Sequence, residues 1–365
     1  MNFFSTSVSE AAIEKVVSVL RSGFLNEGAV VKEFEAALAE YISGPTFVTT
    51  NSATAALHLC LVHLGIGPGD EVIVPPQTFV ATGLIVLHAG ATPVFADIDP
   101  LTGNIDPVSI REKITARTKA VIPVHWGGEP CDMDAINQIA SEAGIAVIED
   151  AAHAFGAEYK GRKIGSLSRL TCFSFQAIKG MTTGDGGAIA TMAEDDAIML
   201  TRRRWFGIDK LRTPVTDIGE RSVAIDILGY KYHMNNIAAA LGVGNLPDDA
   251  ARLARRREIG ATYIEALVQV PGLRHIQRRT DSRGSFWLFP VLVDEREAFG
   301  RAMKSRNVPI TVVDRRIDKH PILGGLRDDL PGIAMFDMQQ IHLPVNDALT
   351  EEEVQRVVDS VKMGW

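Results

Sequence analysis

A single lysine lies in a stretch of the chain that holds almost no other charge. Lys179 falls in TCFSFQAIKGMTTGDGGAIAT, residues 171–191, between two apolar runs that are typical of strands. Apolar surroundings lower the pKa of a lysine because desolvation penalises the ammonium form, and the neutral amine is a nucleophile. Such an amine suits a Schiff base with a carbonyl group. The alternative is a loop lysine that simply reaches solvent, so the choice depends on the residues around it.

An acidic residue ends the apolar run IAVIED, residues 145–150. A buried carboxylate needs a cationic partner, and a protonated pyridine nitrogen would provide one. Pyridoxal phosphate (PLP) requires that protonated nitrogen to act as an electron sink. Asp150 has an alternative role as the cap of the helix that follows it.

Small and hydroxylated residues, Ser52, Ala53 and Thr54, stand between a strand-like run and an apolar helix. The N-terminus of a helix offers free N–H groups and a positive dipole end, so this is a candidate phosphate site. Ser174 adds a hydroxyl, and Phe79, after a double proline, offers a ring that could stack on a flat cofactor. An ordinary N-cap and core packing are the alternatives.

These residues together supply a phosphate site, an aromatic plate, a buried acid and a buried amine, which are the parts that PLP needs. The elements around them predict why they would meet. From residue 47 onward, continuously apolar runs alternate with helical segments, as in parallel strands that helices cover on both faces. Ligands of open α/β sheets gather at the carboxyl ends of strands, where these residues stand. We therefore predict an α/β fold with a mostly parallel sheet.

The pattern of the chain changes near residue 247. A charged amphipathic helix begins there. It is followed by the strand-like run SFWLFPVLV, a helix around residues 296–306, the strand-like run VPITVV and a last helix with a capping box, Thr350-x-x-Glu353. We predict a large domain over residues 1–247 and a smaller α/β domain over residues 248–365.

Composition excludes several classes of protein. The 365 residues carry a net charge of −8, which argues against a nucleic-acid binder. Two basic runs, residues 202–204 and 252–257, are interpreted as solvated helix faces. The three cysteines are widely spaced and form no CxxC pair, which indicates reduced thiols and no metal site. The N-terminus lacks a signal peptide, and no apolar run reaches the ~18 residues of a membrane span, so we expect a cytoplasmic protein without a membrane partner.

Longer segments resemble one protein family. The most specific are EDAAHAFGA, residues 149–157, and SFQAIKGMTTGDGG, residues 174–187; FLNEGAVVKEFEAALAEYI, TTNSATAALHLCL and LGYKYHMNNIAAALG match as well. Nearly the whole chain resembles the DegT/DnrJ/EryC1/StrS family of PLP-dependent sugar aminotransferases. The resemblance implies a fold-type-I PLP-dependent transferase, with helices on both sides of the large domain's sheet, and a homodimer with shared active sites.

The same resemblance implies roles for individual residues. Lys179 would bind the cofactor covalently and shuttle protons, and Asp150 would hold the ring nitrogen. His153 would contact the ring hydroxyl, and Phe79 would stack on the ring. The residues that would hold the phosphate are Ala53, Thr54, Ser174 and, across the dimer, Lys231, where many relatives have asparagine. Candidates for substrate binding are Arg316, Lys319 and His320.

The implied reaction moves an amino group from L-glutamate to C3 or C4 of a keto-deoxysugar linked to a nucleotide. Pyridoxamine phosphate (PMP) would be the intermediate form of the cofactor, and the amino sugar would serve glycan biosynthesis, such as that of a lipopolysaccharide O-antigen. A cyclitol or a keto acid as acceptor stays open. Two rival functions also stay open: a PLP-dependent sugar dehydratase or lyase on the same fold, and a non-catalytic regulatory protein. Lys179 disfavours the dehydratase, because the relatives that are dehydratases carry histidine in its place, and the intact pair of Lys179 and Asp150 disfavours the regulatory protein.

Overall fold

The computed structural model describes residues 1–209, 213, 216–220, 223 and 225–365. Its strands are β1 (Thr46–Thr50), β2 (Glu71–Val74), β3 (Thr92–Phe95), β4 (Thr118–Val121), β5 (Ala146–Asp150), β6 (Glu158–Tyr159), β7 (Arg162–Lys163), β8 (Leu170–Ser174), β9 (Gly187–Thr191), β10 (Leu273–His275), β11 (Ser282–Arg283), β12 (Phe289–Val293) and β13 (Gln340–Leu343). Its helices are α1 (Glu10–Ser22), α2 (Ala29–Ile42), α3 (Ala53–His63), α4 (Ala81–His88), α5 (Pro107–Lys113), α6 (Met133–Ala143), α7 (Glu194–Arg203), α8 (Asn236–Asn245), α9 (Asp249–Leu267), α10 (Arg296–Ser305), α11 (Pro331–Gln339) and α12 (Glu351–Lys362).

The largest sheet of the described chain has seven strands in the order β1-β9-β8-β5-β4-β2-β3. The strands from β8 to β3 pair in parallel, whereas β9 lies antiparallel between β1 and β8. Every residue of β2, β8 and β9 is buried, as expected for strands that are covered on both faces. The predicted α/β fold with a mostly parallel sheet is confirmed.

Side chains that alternate along each strand divide the core between the two faces of this sheet. Val72 and Val74 belong to a buried cluster with residues of α3 and α4, whereas Ile73 between them belongs to a cluster with residues of α2 and α6. Apolar packing therefore covers both faces, and the strand ends are where ligands of such sheets gather.

A smaller sheet near the C-terminus has the order β10-β12-β13, and residues of α9, α10 and α12 pack in the same buried cluster. Helix α12 begins at the predicted capping box: Thr350 Oγ1 accepts from the Glu353 N–H at 3.2 Å, and the Glu353 carboxylate accepts from the Thr350 N–H at 3.1 Å. The division of the chain into domains at residue 247 stays a prediction.

The run VPITVV does not form a strand, which corrects the interpretation of that segment. Thr311 makes an isolated bridge with His342, and the N–H of Val313 donates to the side-chain Nδ1 of His342 at 3.1 Å. The neighbour of β12 is instead β13. The chain after Thr311 turns toward the large sheet, where the Ile317 N–H donates to the carbonyl oxygen of Pro76 at 2.8 Å.

Each basic run contains a buried arginine, which corrects their interpretation as solvated faces. Arg204 is 3% exposed and forms ion pairs with Glu27 and Glu35. Arg256 is also 3% exposed, and its Nε donates to the carbonyl oxygen of Ser285 at 3.3 Å. The sequence gives no sign of the Arg204 pairs because the two carboxylates lie 177 and 169 positions away.

All three cysteines are free and buried, as the sequence predicted. Among the described residues, no helix combines the length and the apolar character that crossing a bilayer would require.

Candidate active site

A cavity of about 360 Å³ lies where strands β1, β2, β5 and β8 end. The predicted cofactor residues that line it are Ala53, Thr54, Phe79, Asp150, His153, Ser174 and Lys179. These residues are spread over more than a hundred positions of the chain, and the parallel sheet gathers them because each follows the carboxyl end of a strand. The roles of the individual residues stay predictions.

Lys179 lies in the loop between β8 and β9, where its N–H donates to the carbonyl oxygen of Gln176 at 2.8 Å. Its Nζ is 3.6 Å from the centre of the Trp287 ring, a cation–π contact. Burial lowers the pKa of Lys179 to about 8, although the carboxylates of Asp314 and Asp150 oppose this shift. At pH 7 roughly a tenth of the molecules then carry the neutral amine, the form that attacks a carbonyl, against far fewer for an ordinary lysine.

Asp150, at the end of β5, is 4% exposed. Its Oδ2 accepts from Thr82 Oγ1 at 2.8 Å, and its Oδ1 accepts from the Ala152 N–H at 3.1 Å. Burial raises the pKa of Asp150, against the opposing effect of the Thr82 hydrogen bond and of the Lys179 ammonium. A cation in the cavity would stabilise the charged form of this buried acid, and a protonated ring nitrogen is such a cation.

The candidate phosphate site is the first turn of α3. Ser52 is the N-cap, and its Oγ accepts from the Ala55 N–H at 3.1 Å, so the amides of Ala53 and Thr54 remain at the cavity, where a helix supplies no acceptors of its own. The start of β9 packs closely against this turn, because a Cβ on Gly187 would lie 2.5 Å from the nitrogen of Ala53. The residue types and the close packing fit an anion bound at the helix N-terminus.

His153 has a stacked partner and a neutral ring. Its imidazole lies on the indole of Trp287 with ring centroids 3.8 Å apart, and its Nδ1 accepts from the Gly127 N–H at 3.4 Å. Burial lowers the pKa of His153 well below the usual value, and the nearby Lys179 ammonium lowers it further. A neutral imidazole can offer an Nε2–H to an oxygen in the cavity.

The lining residues that were not predicted from the sequence include Thr82, Trp287 and Asp314. Thr82 is the second residue of α4, close to the end of β2, and this place in the chain could have suggested that it lies near the site. Trp287 and Asp314 come from the C-terminal part of the chain, and only its docking onto the large sheet brings them to the cavity.

Four predicted site residues do not line this cavity. Lys231 is exposed and bridges to Trp205. Arg316 binds the buried Asp318 through two hydrogen bonds, at 2.8 and 2.6 Å, so its guanidinium already has an internal carboxylate. Lys319 is exposed and His320 is half-buried. Their proposed roles, across a dimer or toward the substrate, stay predictions.

Comparison with protein families gives one match over nearly the full length. The model of the DegT/DnrJ/EryC1/StrS aminotransferase family matches residues 6–362. The spore coat polysaccharide biosynthesis protein SpsC of Bacillus subtilis is 38% identical over 97% of this chain and 94% of its own. The GDP-perosamine synthase of Caulobacter vibrioides is 37% identical over 91% of this chain and 89% of its own.

Solved structures are similar over the whole chain. AtS13 from Actinomadura melliaura superposes with a TM-score of 0.95 at 37% identity, covering 100% of this chain and 99% of its own. Spr1654 from Streptococcus pneumoniae, assigned as a sugar aminotransferase and solved in a PLP form, superposes with a TM-score of 0.92 at 30% identity, covering 100% of this chain and 98% of its own. A PMP form of Spr1654 superposes equally well, with a TM-score of 0.92.

Proposed function

The chain belongs to the DegT/DnrJ/EryC1/StrS aminotransferase family, and we propose that it is a PLP-dependent enzyme that transfers an amino group from L-glutamate to a nucleotide-linked keto-deoxysugar. The observation that carries this proposal is the pairing of Lys179 and Asp150 across one cavity. An amine with a lowered pKa and a buried acid are the two groups that PLP chemistry demands of a protein. The PLP and PMP forms of Spr1654 support the choice of cofactor.

Most residues of the cavity would bind the cofactor, at its phosphate, its ring face and its ring nitrogen. The amides of Ala53 and Thr54, with the Ser174 hydroxyl, would hold the phosphate group, and Phe79 would cover one face of the ring. The bound cofactor supplies an electron sink for the carbon at which nitrogen is exchanged. Asp150 would keep the proton on the ring nitrogen.

Lys179 and His153 lie where the reacting groups would be. The Lys179 Nζ would attach the cofactor, be released by the donor amine, and then take and return the proton at the reacting carbon. Its lowered pKa allows both steps near neutral pH, because the amine gains and loses a proton readily there. His153, neutral and held by Trp287, would donate Nε2–H to the ring hydroxyl oxygen.

The acceptor class rests on relatives. A GDP-perosamine synthase that is 37% identical acts on a sugar nucleotide by its name, which supports a nucleotide-linked keto-sugar as acceptor. We propose amination at C3 or C4, for the synthesis of a surface glycan such as an O-antigen. We further propose a cytoplasmic homodimer, in which Lys231 reaches the phosphate of the neighbouring cofactor.

The test is spectroscopic and then chemical. The purified protein, loaded with PLP, should show a visible absorbance band that is bleached by L-glutamate, and addition of a keto-deoxysugar nucleotide should restore the band and yield an amino sugar. Loss of water from the sugar without gain of nitrogen would favour a dehydratase. A protein that takes up no PLP would contradict the role given to Lys179 and favour a regulatory function.

A further inference from the structure

A carboxylate from the C-terminal part of the chain lies in the cavity, and one of its oxygens has no hydrogen-bond partner among the described residues. Asp314 lines the cavity, and its side chain is only 7% exposed. Its Oδ2 is buried and accepts no hydrogen bond from any residue that the structure describes. The imidazole Nε2 of His153 lies 3.7 Å from this oxygen, which is too far for a hydrogen bond. A buried acceptor without a hydrogen bond destabilises the fold unless a ligand supplies a donor.

The backbone holds this carboxylate in one place. Asp314 has a φ of 55°, in the left-handed region that aspartate tolerates better than most residues. Its carbonyl oxygen accepts from Gln77 Nε2 at 2.5 Å, and the preceding N–H, of Val313, donates to His342 Nδ1 at 3.1 Å. Gln77 is in turn paired with Gln340 through reciprocal amide hydrogen bonds at 3.3 and 3.1 Å. The position of Asp314 is therefore built by the fold and does not depend on a loop that moves freely.

The groups that face Asp314 leave it negative near neutral pH but without a permanent partner. Burial raises the pKa of Asp314 to about 6, the Lys179 ammonium lowers it, and the Asp150 carboxylate raises it. The Lys179 ammonium acts on Asp314 through its charge, but it donates no hydrogen bond to Oδ2 in the structure. Burial keeps His153 neutral by lowering its pKa. Burial also lowers the pKa of His342 to about 3, and its Nδ1 already accepts from the Val313 N–H. The donor that satisfies Oδ2 must then come from the substrate.

We propose that Asp314 accepts a hydrogen bond from a hydroxyl group next to the reacting carbonyl of the acceptor, and that its negative charge disfavours acceptors that carry a carboxylate at that position. This inference rests on the proposed function and deepens it: Asp314 selects an acceptor that has a hydroxyl group, and no carboxylate, next to its reacting carbonyl, as in a sugar ring and not in a keto acid. An ionised carboxylate of this kind gains a charge-assisted hydrogen bond from each hydroxyl that it binds.

The same carboxylate has the opposite effect on the amino donor. L-Glutamate brings an α-carboxylate next to its reacting nitrogen, and two negative charges close together in a buried site repel each other. Removal of the charge at Asp314 should therefore favour the donor and penalise the sugar. A change that merely damages the cavity would weaken both, so the two half-reactions separate recognition from structural damage.

The test compares Asp314→Asn with the control Asp328→Asn, which removes the same charge from an exposed position that does not line the cavity. The holoenzyme is assayed by its absorbance in each half-reaction. For Asp314→Asn we expect KM for L-glutamate to fall ~3- to 10-fold and kcat/KM for a keto-deoxysugar nucleotide to fall about 10- to 100-fold, the size of a lost hydrogen bond to a charged group. Asp328→Asn should change neither.

Two further measurements make the assignment specific. Calorimetry of glutarate, a dicarboxylate that cannot react, should show tighter binding to the Asp314→Asn holoenzyme than to wild type. A sugar analogue without the hydroxyl next to its carbonyl should lose the difference between wild type and variant. Asp314→Ser, which also removes the charge, should reproduce the donor effect if the asparagine variant is poorly folded.

Clear outcomes would overturn the proposal. Equal losses in both half-reactions, unchanged glutarate affinity, or a deoxy analogue that still distinguishes wild type from variant would each contradict it. If wild type transfers nitrogen to no sugar nucleotide, the proposed function fails; glutarate calorimetry still reports whether the charge of Asp314 acts on a carboxylate in the cavity.

Discussion

The indole ring of Trp287 stacks on the imidazole of His153, with centroids 3.8 Å apart and planes inclined by 22°. The same indole faces the ammonium of Lys179 at 3.6 Å, and its Nε1 donates to the carbonyl oxygen of Ile178 at 3.0 Å. One residue from the C-terminal part of the chain thus fixes two residues of the candidate cofactor site. The burial that this contact provides contributes to the lowered pKa values of both groups, and it leads to the first prediction.

The capture of PLP by the cofactor-free protein should depend on pH through Lys179. Its pKa is lowered to about 8, so the fraction of neutral amine rises with pH until it levels off above that value. The rate at which the visible band develops should rise about tenfold per pH unit well below the pKa and become constant above it. Stopped-flow absorbance measures this directly. Lys179→Arg should develop no band, and a midpoint near the ordinary lysine value of ~10.4 would show that the amine is not desolvated.

Asp150→Asn should stabilise the cofactor-free protein and weaken the binding of PLP. Burial raises the pKa of Asp150, which means that its charged form is unfavourable in the cofactor-free protein. We expect the free energy of unfolding to rise by about 1 kcal/mol, whereas the Kd of PLP rises by about 10²-fold or more, because a buried ion pair loses one partner. Thermal melts with and without PLP give both quantities. A variant that is less stable than wild type in both states would contradict the electrostatic argument.

Gly187→Ala should impair the phosphate site. The new Cβ would lie 2.5 Å from both Ser52 C and Ala53 N, so the first turn of α3 must move away from β9. We expect a loss of about 1–3 kcal/mol in stability and weaker binding of PLP and of inorganic phosphate. The matched control is Gly67→Ala, where the nearest atom would be 3.6 Å from the Cβ. Unchanged phosphate affinity in Gly187→Ala would show that the anion binds elsewhere.

Arg204→Met should strongly destabilise the fold. Arg204 is 3% exposed, and its loss leaves the carboxylates of Glu27 and Glu35 without their buried partner. The expected loss is about 3–5 kcal/mol in the free energy of unfolding, measured by urea titration. Arg111→Met is the control, since the Arg111 side chain is 57% exposed in its pair with Glu142 and should contribute under about 1 kcal/mol. Similar losses in the two variants would contradict the importance of burial.

The sequence was informative wherever position along a strand decides position in space. Asp150 and Ser174 end apolar strands and Ala53 begins a helix, so the rule that ligands gather at strand ends is enough to predict that all three share one cavity. The same rule predicts Lys179 in this cavity, because it follows the carboxyl end of β8, a strand that is buried on both faces.

The sequence was uninformative wherever a residue reaches its partner across a large separation. Asp314 enters the cavity because Gln77, 237 positions earlier, holds its carbonyl oxygen. The run VPITVV has the composition of a strand, yet its last backbone N–H, of Val313, donates to the side chain of His342 and not to a neighbouring strand. Arg204 sits in a basic run that is typical of a solvated face, and only the fold supplies its two carboxylates.

The paired amides of Gln77 and Gln340 join residues that lie 263 positions apart. The loop after β2 therefore leaves the ribosome during synthesis long before Gln340, its hydrogen-bond partner, has been made. During synthesis, Lys179 and Asp150 are already in the emerged chain while the wall that carries Trp287 and Asp314 is missing, and closing contacts of such long range is slow. Lasting capture of the cofactor by a nascent chain should begin only after synthesis has passed Gln340, so the enzyme matures as a finished polypeptide.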